Sequence, residues 1–357
     1  MTGDPAAPAA GKGGARRWRD PRVWLGVAVT VFFLWLTLRD VPFAEVGRVM
    51  AGANWWLLVG LSVPLYALLV WLRALRWGHL TDPIQPIPRP SLARAVAVGF
   101  MANNVFPLRM GEVVRCWYLS REAGGSAAAL FGTVILERII DTIFVLLLVG
   151  IVVTWQGSSP DGVLVEGALL LLPVALLPIA GLLLLKAAPE FVIRVVVTVL
   201  RPLPRLERLA ERLIRRLHEG LAALRGGRHL FWLFFHSAVL WLVVSPATIL
   251  VGFLSLEIDL GSAVRLVEAS WVTQAAVGVA VALPSAPGFF GLFHLACKIA
   301  LLRFGVAPEL AVAAGTLIHA MMWVTLTGMG LLVLRSRRTS LGEVEGVAVA
   351  ASESPSE

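Results

Sequence analysis

The sequence has 357 residues, 58% of them hydrophobic and only 15% charged, with a mean hydropathy of +0.80; a soluble domain is about half apolar and a quarter charged. The net charge of +8 would suit nucleic acid on a soluble chain. Here the basic residues flank apolar blocks, where membrane orientation and anionic inner-leaflet headgroups account for them, so nucleic acid is not an expected partner. Cys116 and Cys297 stand far apart without a second ligand-type residue at metal spacing, which excludes a disulfide framework and a cysteine metal site.

In chain order, residues 1–22 are small, polar and basic, and are expected to be a disordered cytoplasmic N-terminus. "VWLGVAVTVFFLWLTL" (23–38) opens a transmembrane domain that extends to 335. It has a basic flank but no small-residue cleavage site, so it reads as a span and not as a signal peptide. Six full spans are predicted, at 23–38, 55–73, 127–155, 163–186, 230–254 and 309–334, each near the roughly 20 helical residues that a bilayer core requires. Two further apolar stretches, 91–120 and 264–304, are interrupted by Pro and Gly.

With the N-terminus inside, the inner segments hold 25 Lys and Arg and the outer segments hold 4. That bias requires each interrupted stretch to return to the side it came from. Both are therefore predicted to be re-entrant hairpins, and the fold to be an all-α polytopic membrane protein. Within it, 187–229 is a cytoplasmic connector, and 202–225 places leucines at helical spacing beside arginines on other faces. That pattern suits a helix lying on anionic lipid or an ordinary solvated connector. The last segment, 336–357, is expected to be a disordered tail.

The first break, "NNVFPLRMGEVVR" (103–115), places chemistry inside this apolar frame. Pro107 removes a backbone donor, Gly111 permits irregular backbone, and Asn103 and Asn104 can satisfy the groups set free. Arg109, Glu112 and Arg115 follow, close enough for the guanidinium groups to meet one anion; the plainer reading is that they pair and snorkel. In "ILERIID" (135–141), Glu137 and Asp141 share a helix face and Arg138 can bridge to Asp141. Glu137 is then left over for Arg109 or Arg115, which would make a polar cavity shared by these five residues. Buried charge is expensive unless networked, and intramembrane ionisable residues are functional candidates by default.

The second break, "VALPSAPGFFGLFH" (281–294), carries Pro284, Pro287, Gly288 and Gly291, with Gln274 upstream and His294 downstream. His319 lies within the last span, where it fits a helix contact or a cavity equally well. A helix, a Pro-containing break, a helix and then a full span occur once from each side. Paired broken segments of this kind point to an inverted-repeat transport fold. Enzyme templates fit poorly: there is no phosphate loop, no two-histidine metal spacing and no nucleophile elbow, so no catalytic residue, cofactor or metal is expected.

"NNVFPLRMGEVVR", "ILERIID" and "PSAPGFFG", in this order, resemble the signature segments of the lysylphosphatidylglycerol synthase transmembrane-region family, over about 55–335. The resemblance implies a flippase-like protein of the bacterial cytoplasmic membrane, without the lysyl-transferring domain, that moves lipids with polar or charged headgroups between leaflets. By motif it carries over Asn104, Pro107, Arg109, Gly111, Glu112, Arg115, Glu137, Arg138, Asp141, Pro287, Gly288 and Gly291 as substrate-binding candidates. Family members usually have an acidic residue where this chain has His294, and often an arginine near the place of His319, so headgroup selectivity is expected to differ. The expected partners are a phospholipid or lipid-linked substrate, with a homodimer as a further candidate. The alternatives are a partner or enzyme of lipid-linked sugar synthesis and a substrate-free membrane scaffold whose charges pair one to one.

Topology is directly testable. Both termini should be inside and residues 155–162 and 255–263 outside. On a background lacking Cys116 and Cys297, an impermeant thiol reagent should label single cysteines in those two loops from outside and none near 208–216.

Overall fold

The computed structural model describes residues 21–106, 110–155, 180–181, 184–185, 187–204, 206–208, 210–211, 214–215, 227–282 and 287–353. Most of the expected span 163–186 and more than half of the amphipathic stretch 202–225 lie outside these residues. The described residues are mostly helical, with no strand among them: α1 Pro21–Leu38, α2 Phe43–Ala51, α3 Trp55–Thr81, α4 Arg89–Val105, α5 Gly111–Ala123, α6 Ala127–Trp155 and α7 Pro189–Leu200. α8, Gly227–Ala238, runs through a π-helical stretch, Val239–Val244, into α9, Ser245–Ser255. Then come α10 Ala263–Ala282, a 3₁₀ turn Pro287–Phe289, α11 Leu292–Leu302, α12 Pro308–Ser336 and α13 Leu341–Glu353.

Among the described residues, four stretches are long and apolar enough to cross a membrane: Trp55–Thr81, His229–Ser255, Ala263–Val281 and Pro308–Ser336. The 29-residue α6 matches them in length but carries Glu137, Arg138 and Asp141 at its centre. Large apolar side chains such as Trp56, Phe231, Val199 and Leu332 face outward, as lipid contact requires. The chain is an all-α polytopic membrane protein.

Two sets of contacts define the ends of the bundle. At one end Asn54 N–H donates to Ser255 O (2.7 Å), bringing the start of α3 beside the end of α9. At the other end Gln85 Nε2 donates to Ala123 O (3.0 Å), Arg94 Nε to Glu122 Oε1 (2.9 Å), and Arg337 lies 3.9 Å from Glu122. α4 and α5 therefore leave from and return to one end, while α10 and α11 form a hairpin based at the other. The sequence helix, hairpin, helix (α3, α4/α5, α6) is thus matched by a second of opposite sense (α9, α10/α11, α12). The long arm of the second hairpin, α10, is itself of span length, which hydropathy split by Pro and Gly does not reveal.

The first break has a local cause. A residue preceding proline is pushed out of helical backbone, and Phe106 adopts φ −100°, ψ 146° at the end of α4. The chain re-enters helix at Gly111, whose N–H donates to Asn103 Oδ1 (2.8 Å). At this point α4 and α5 cross with Gly99 against Gly111, and a Cβ on Gly111 would collide with the Gly99 carbonyl and the Asn103 amide. In the second break Gly288 (φ 68°) and Gly291 (φ 86°) take left-handed backbone, and the 3₁₀ turn packs against α4. Lys298, at membrane depth in α11, donates to Thr37 O (2.7 Å) in the last turn of α1, where the helix dipole favours a cation.

The tail 336–357, expected to be disordered, instead contains α13. Ser340 and Glu343 form a reciprocal capping box: Glu343 N–H donates to Ser340 Oγ (3.1 Å), and Ser340 N–H to Glu343 Oε1 (3.2 Å). Val344 and Ala348, four apart, are buried in the main core, and Arg121 of α5 pairs with Glu343, holding its carboxyl below the usual carboxylate range.

The Gly99–Gly111 crossing yields a test. Gly111→Ala should destabilise the protein in detergent by about 1–3 kcal/mol, the usual cost of overpacking, because the obstacle is backbone. Gly132→Ala, where a Cβ would meet open space, should leave the melting temperature unchanged.

Candidate functional site

α3 supplies the centre of the site. "WLRALRW" (71–77) continues the helix beyond the point where hydropathy falls, placing Arg73 and Arg76 one turn apart on the face turned toward α6. Arg76 is fully buried. Its Nη2 donates to Glu137 Oε1 (2.6 Å) and its Nη1 to Asp141 Oδ1. Arg73 Nη1 lies 3.6 Å from Glu137 and 3.5 Å from Asp141.

α5 contributes Arg115, whose Nη2 donates to Glu137 Oε2 (2.9 Å) and whose guanidinium stacks over the Trp77 ring at 4.7 Å. Arg138 of α6 reaches Glu137 and Asp141, both at 2.9 Å, and lies 4.0 Å from Glu112. Two indoles complete the shell: Trp77 Nε1 donates to Thr133 Oγ1, and Trp241 Nε1, from the π-helical stretch, to Asp141 Oδ1, each at 2.8 Å.

Among the described residues, four guanidiniums (Arg73, Arg76, Arg115, Arg138) face three carboxylates (Glu112, Glu137, Asp141), an excess of one positive charge. The Nε of each of these four arginines is buried without an acceptor. Asp141 Oδ2 also lacks a hydrogen bond, although Arg138 Nη2 lies 2.9 Å away, so four donors stand against one such acceptor in a setting where an unmet donor is costly. A cavity of about 30 Å³ touches Arg73, Asn103, Glu112, Arg115 and Arg138, enough for about a water or two and too small for a headgroup. Access is graded: the Arg138 side chain is 39% exposed, that of Arg76 not at all.

Much of the first candidate set is therefore gathered: Asn103, Gly111, Glu112, Arg115, Glu137, Arg138 and Asp141. The expected partnership of Glu137 with Arg115 and of Arg138 with Asp141 is observed. Asn104 points elsewhere, its Nδ2 donating to Thr327 Oγ1 of α12 (3.0 Å). Pro107, Arg109 and Pro284 lie outside the described residues, as does the Pro287 side chain. Arg73, Arg76 and Trp241 were missed by the sequence reading. The available signal was Arg-x-x-Arg at helical spacing inside an apolar run; ending the span at 73 assigned both arginines to the solvated flank.

The second candidate set forms a separate group at the tip of the α10/α11 hairpin. His319 Nε2 donates to Gly288 O (2.6 Å), and the His294 and His319 rings lie 4.9 Å apart between Phe290 and Phe293. Both histidines are buried. Gly291 admits the close approach of α1, since a Cβ there would meet Phe33 Cβ at 2.9 Å. Gln274 is buried on α10.

The ion network makes a quantitative demand. Glu137→Gln should cost about 3–5 kcal/mol, as expected when a buried charge loses its partner. Combining it with Arg76→Gln or Arg115→Gln should cost less than the sum of the singles, measured by thermal unfolding in detergent. Additive losses would show that these groups do not interact.

Comparison with known proteins places this geometry. Over 333 residues the chain is 26% identical to a protein named glycosyltransferase AglD from Haloferax volcanii, covering 85% of this chain and 52% of that protein. The chain thus spans about half the length of that curated relative. No solved structure matches. The profile described as the lysylphosphatidylglycerol synthase transmembrane region matches residues 23–330, which include both broken helices and the whole arginine–carboxylate cluster. The chain belongs to the lysylphosphatidylglycerol synthase transmembrane-region family.

Proposed function

We propose that the chain is a flippase-like lipid transporter that carries a phospholipid or lipid-linked intermediate with an anionic headgroup between leaflets. One observation carries this reading: among the described residues, a buried cluster has one positive charge in excess and four guanidinium Nε–H groups without an acceptor. A phosphate monoanion supplies the missing charge and acceptors, and planar guanidinium forks match its oxygens. A scaffold would gain nothing from an unpaired buried charge, and one-to-one pairing is not what the cluster contains. The described conformation is closed. A headgroup would enter beside Arg138 and Glu112, the half-buried rim of the cluster, as the α4/α5 hairpin separates from α3 and α6. In this reading the termini are cytoplasmic, the chain is not itself an enzyme, and the partners are membrane lipids.

A second reading, service to lipid-linked sugar synthesis, draws on the similarity to a protein named as a glycosyltransferase. The two readings share the cluster and differ in cargo.

The test is lipid movement in reconstituted vesicles. Wild-type protein should move a phosphate-bearing fluorescent lipid between leaflets. Arg115→Lys keeps the charge but loses the fork, and should slow movement about ten- to a hundredfold, the worth of a charge-assisted hydrogen bond, measured at temperatures where the variant, which also loses part of its hold on Glu137 and Trp77, remains folded. Wild-type rates in Arg115→Lys and Arg138→Gln would overturn the assignment.

A further inference from the structure

Below the arginine–carboxylate cluster, at the end of the bundle that holds Gln85 and Ala123, three histidines converge from elements about 150 residues apart in sequence. His79 lies in the last turn of α3 and Asp82 caps that helix. His229 and His236 stand seven apart on α8, which packs along α3. With Leu75, Arg89 and Trp232 they line a cavity of about 450 Å³. The charge cluster and the family signature segments use none of these histidines.

Three observations distinguish this group from an ordinary solvated pocket. The ligand-type atoms of His79, Asp82 and His229 all lie within 4.8 Å of one another. The Nδ1 atoms of His79 and His229 are buried with no hydrogen-bond partner among the described residues. The His79 ring centroid is 5.3 Å from that of His236 and 5.9 Å from that of His229. Two imidazoles bound to one tetrahedral ion at metal–nitrogen distances of about 2.0–2.1 Å place their centroids about 5 Å apart. The spacing is therefore already close to that of a coordinated pair.

The outer contacts fit as well. His236 Nδ1 meets Trp232 O at 2.6 Å, so it carries the proton and leaves the Nε2 lone pair for a ligand, the arrangement that second-shell carbonyls impose on metal-bound histidines. Asp82 accepts from both Nη atoms of Arg89, which orients the carboxylate and still leaves lone pairs on each oxygen.

We propose that His79, Asp82 and His229, with His236 beside His79 as a further ligand, form a binding site for a divalent transition-metal ion of the zinc class. Imidazole-rich donor sets favour zinc, copper, nickel and cobalt, whereas magnesium and calcium require oxygen. The ion would clamp α8 to the end of α3, one turn from Arg76. Its cavity is larger than an ion needs, leaving room for water or an anionic group on any remaining coordination position.

The test uses the full chain, purified without a polyhistidine tag, placed in lipid nanodiscs and stripped with chelator. Wild-type protein should bind one Zn²⁺ per chain, and Co²⁺ should give the intense ligand-field absorption of a four- or five-coordinate site. The double variant His79→Ala, His229→Ala should lose stoichiometric binding. X-ray absorption at the zinc edge of the wild-type protein gives a readout that needs no variant, and should show at least two imidazole ligands. Absence of stoichiometric Zn²⁺ binding, a wild-type affinity in the double variant, or an all-oxygen zinc environment would each overturn the site.

Discussion

Burying charge away from water is the constraint on which this fold turns. An ion moved alone into a low-dielectric interior loses several kcal/mol even after relaxation, so no arginine or carboxylate of the cluster is tolerable singly. Each becomes tolerable only when the others are in place, and they arrive from α3, α5 and α6. The network therefore fixes how these helices meet, and it does so with a directionality that interchangeable apolar contacts cannot supply. The π-helical stretch belongs to the same solution. Such stretches are uncommon and often functional, and here one carries Trp241, whose indole donates to Asp141.

The backbone is arranged around the same need. A straight helix through 103–115 would carry Glu112 and Arg115 onward from α4; the break turns the chain so that α5 lies against α4 and presents both toward α6. Gly99 and Gly111 allow that approach, and Asn103 satisfies the freed N–H. The residues that made this segment look out of place in a lipid-like chain are those that shape it. At the second break the corresponding work falls to left-handed glycines and to His319 on the Gly288 carbonyl.

Local chemistry was legible in the sequence, and long-range pairing less so. Pro107, Gly111, Pro287 and Gly288 marked both hairpins, because proline and glycine act on their own backbone. Glu137 and Asp141 were visible as charges in an apolar run, and the need of Glu137 for an arginine followed from counting. Arg73 and Arg76 escaped because hydropathy averages over a window and cannot separate a solvated flank from a buried helical end. α13 escaped because a mean over 336–357 hides the capping box of Ser340 and Glu343. The convergence of His79 with His229 and His236 has no sequence signature, since only the packing of α8 on α3 creates it.

The single excess positive charge counted among the described residues of the cluster has an electrical consequence for the proposed function. Moving one elementary charge through a membrane potential of 100 mV is worth about 2.3 kcal/mol. A cluster of net charge +1 that closes on a monoanionic headgroup is neutral when loaded. If the chain carries such a headgroup as proposed, and the cluster crosses part of the field as it rearranges, the loaded form would move no net charge and the empty form one. The cargo would then be a counter-ion as well as a substrate, and the membrane voltage would bear on the return of the empty carrier alone.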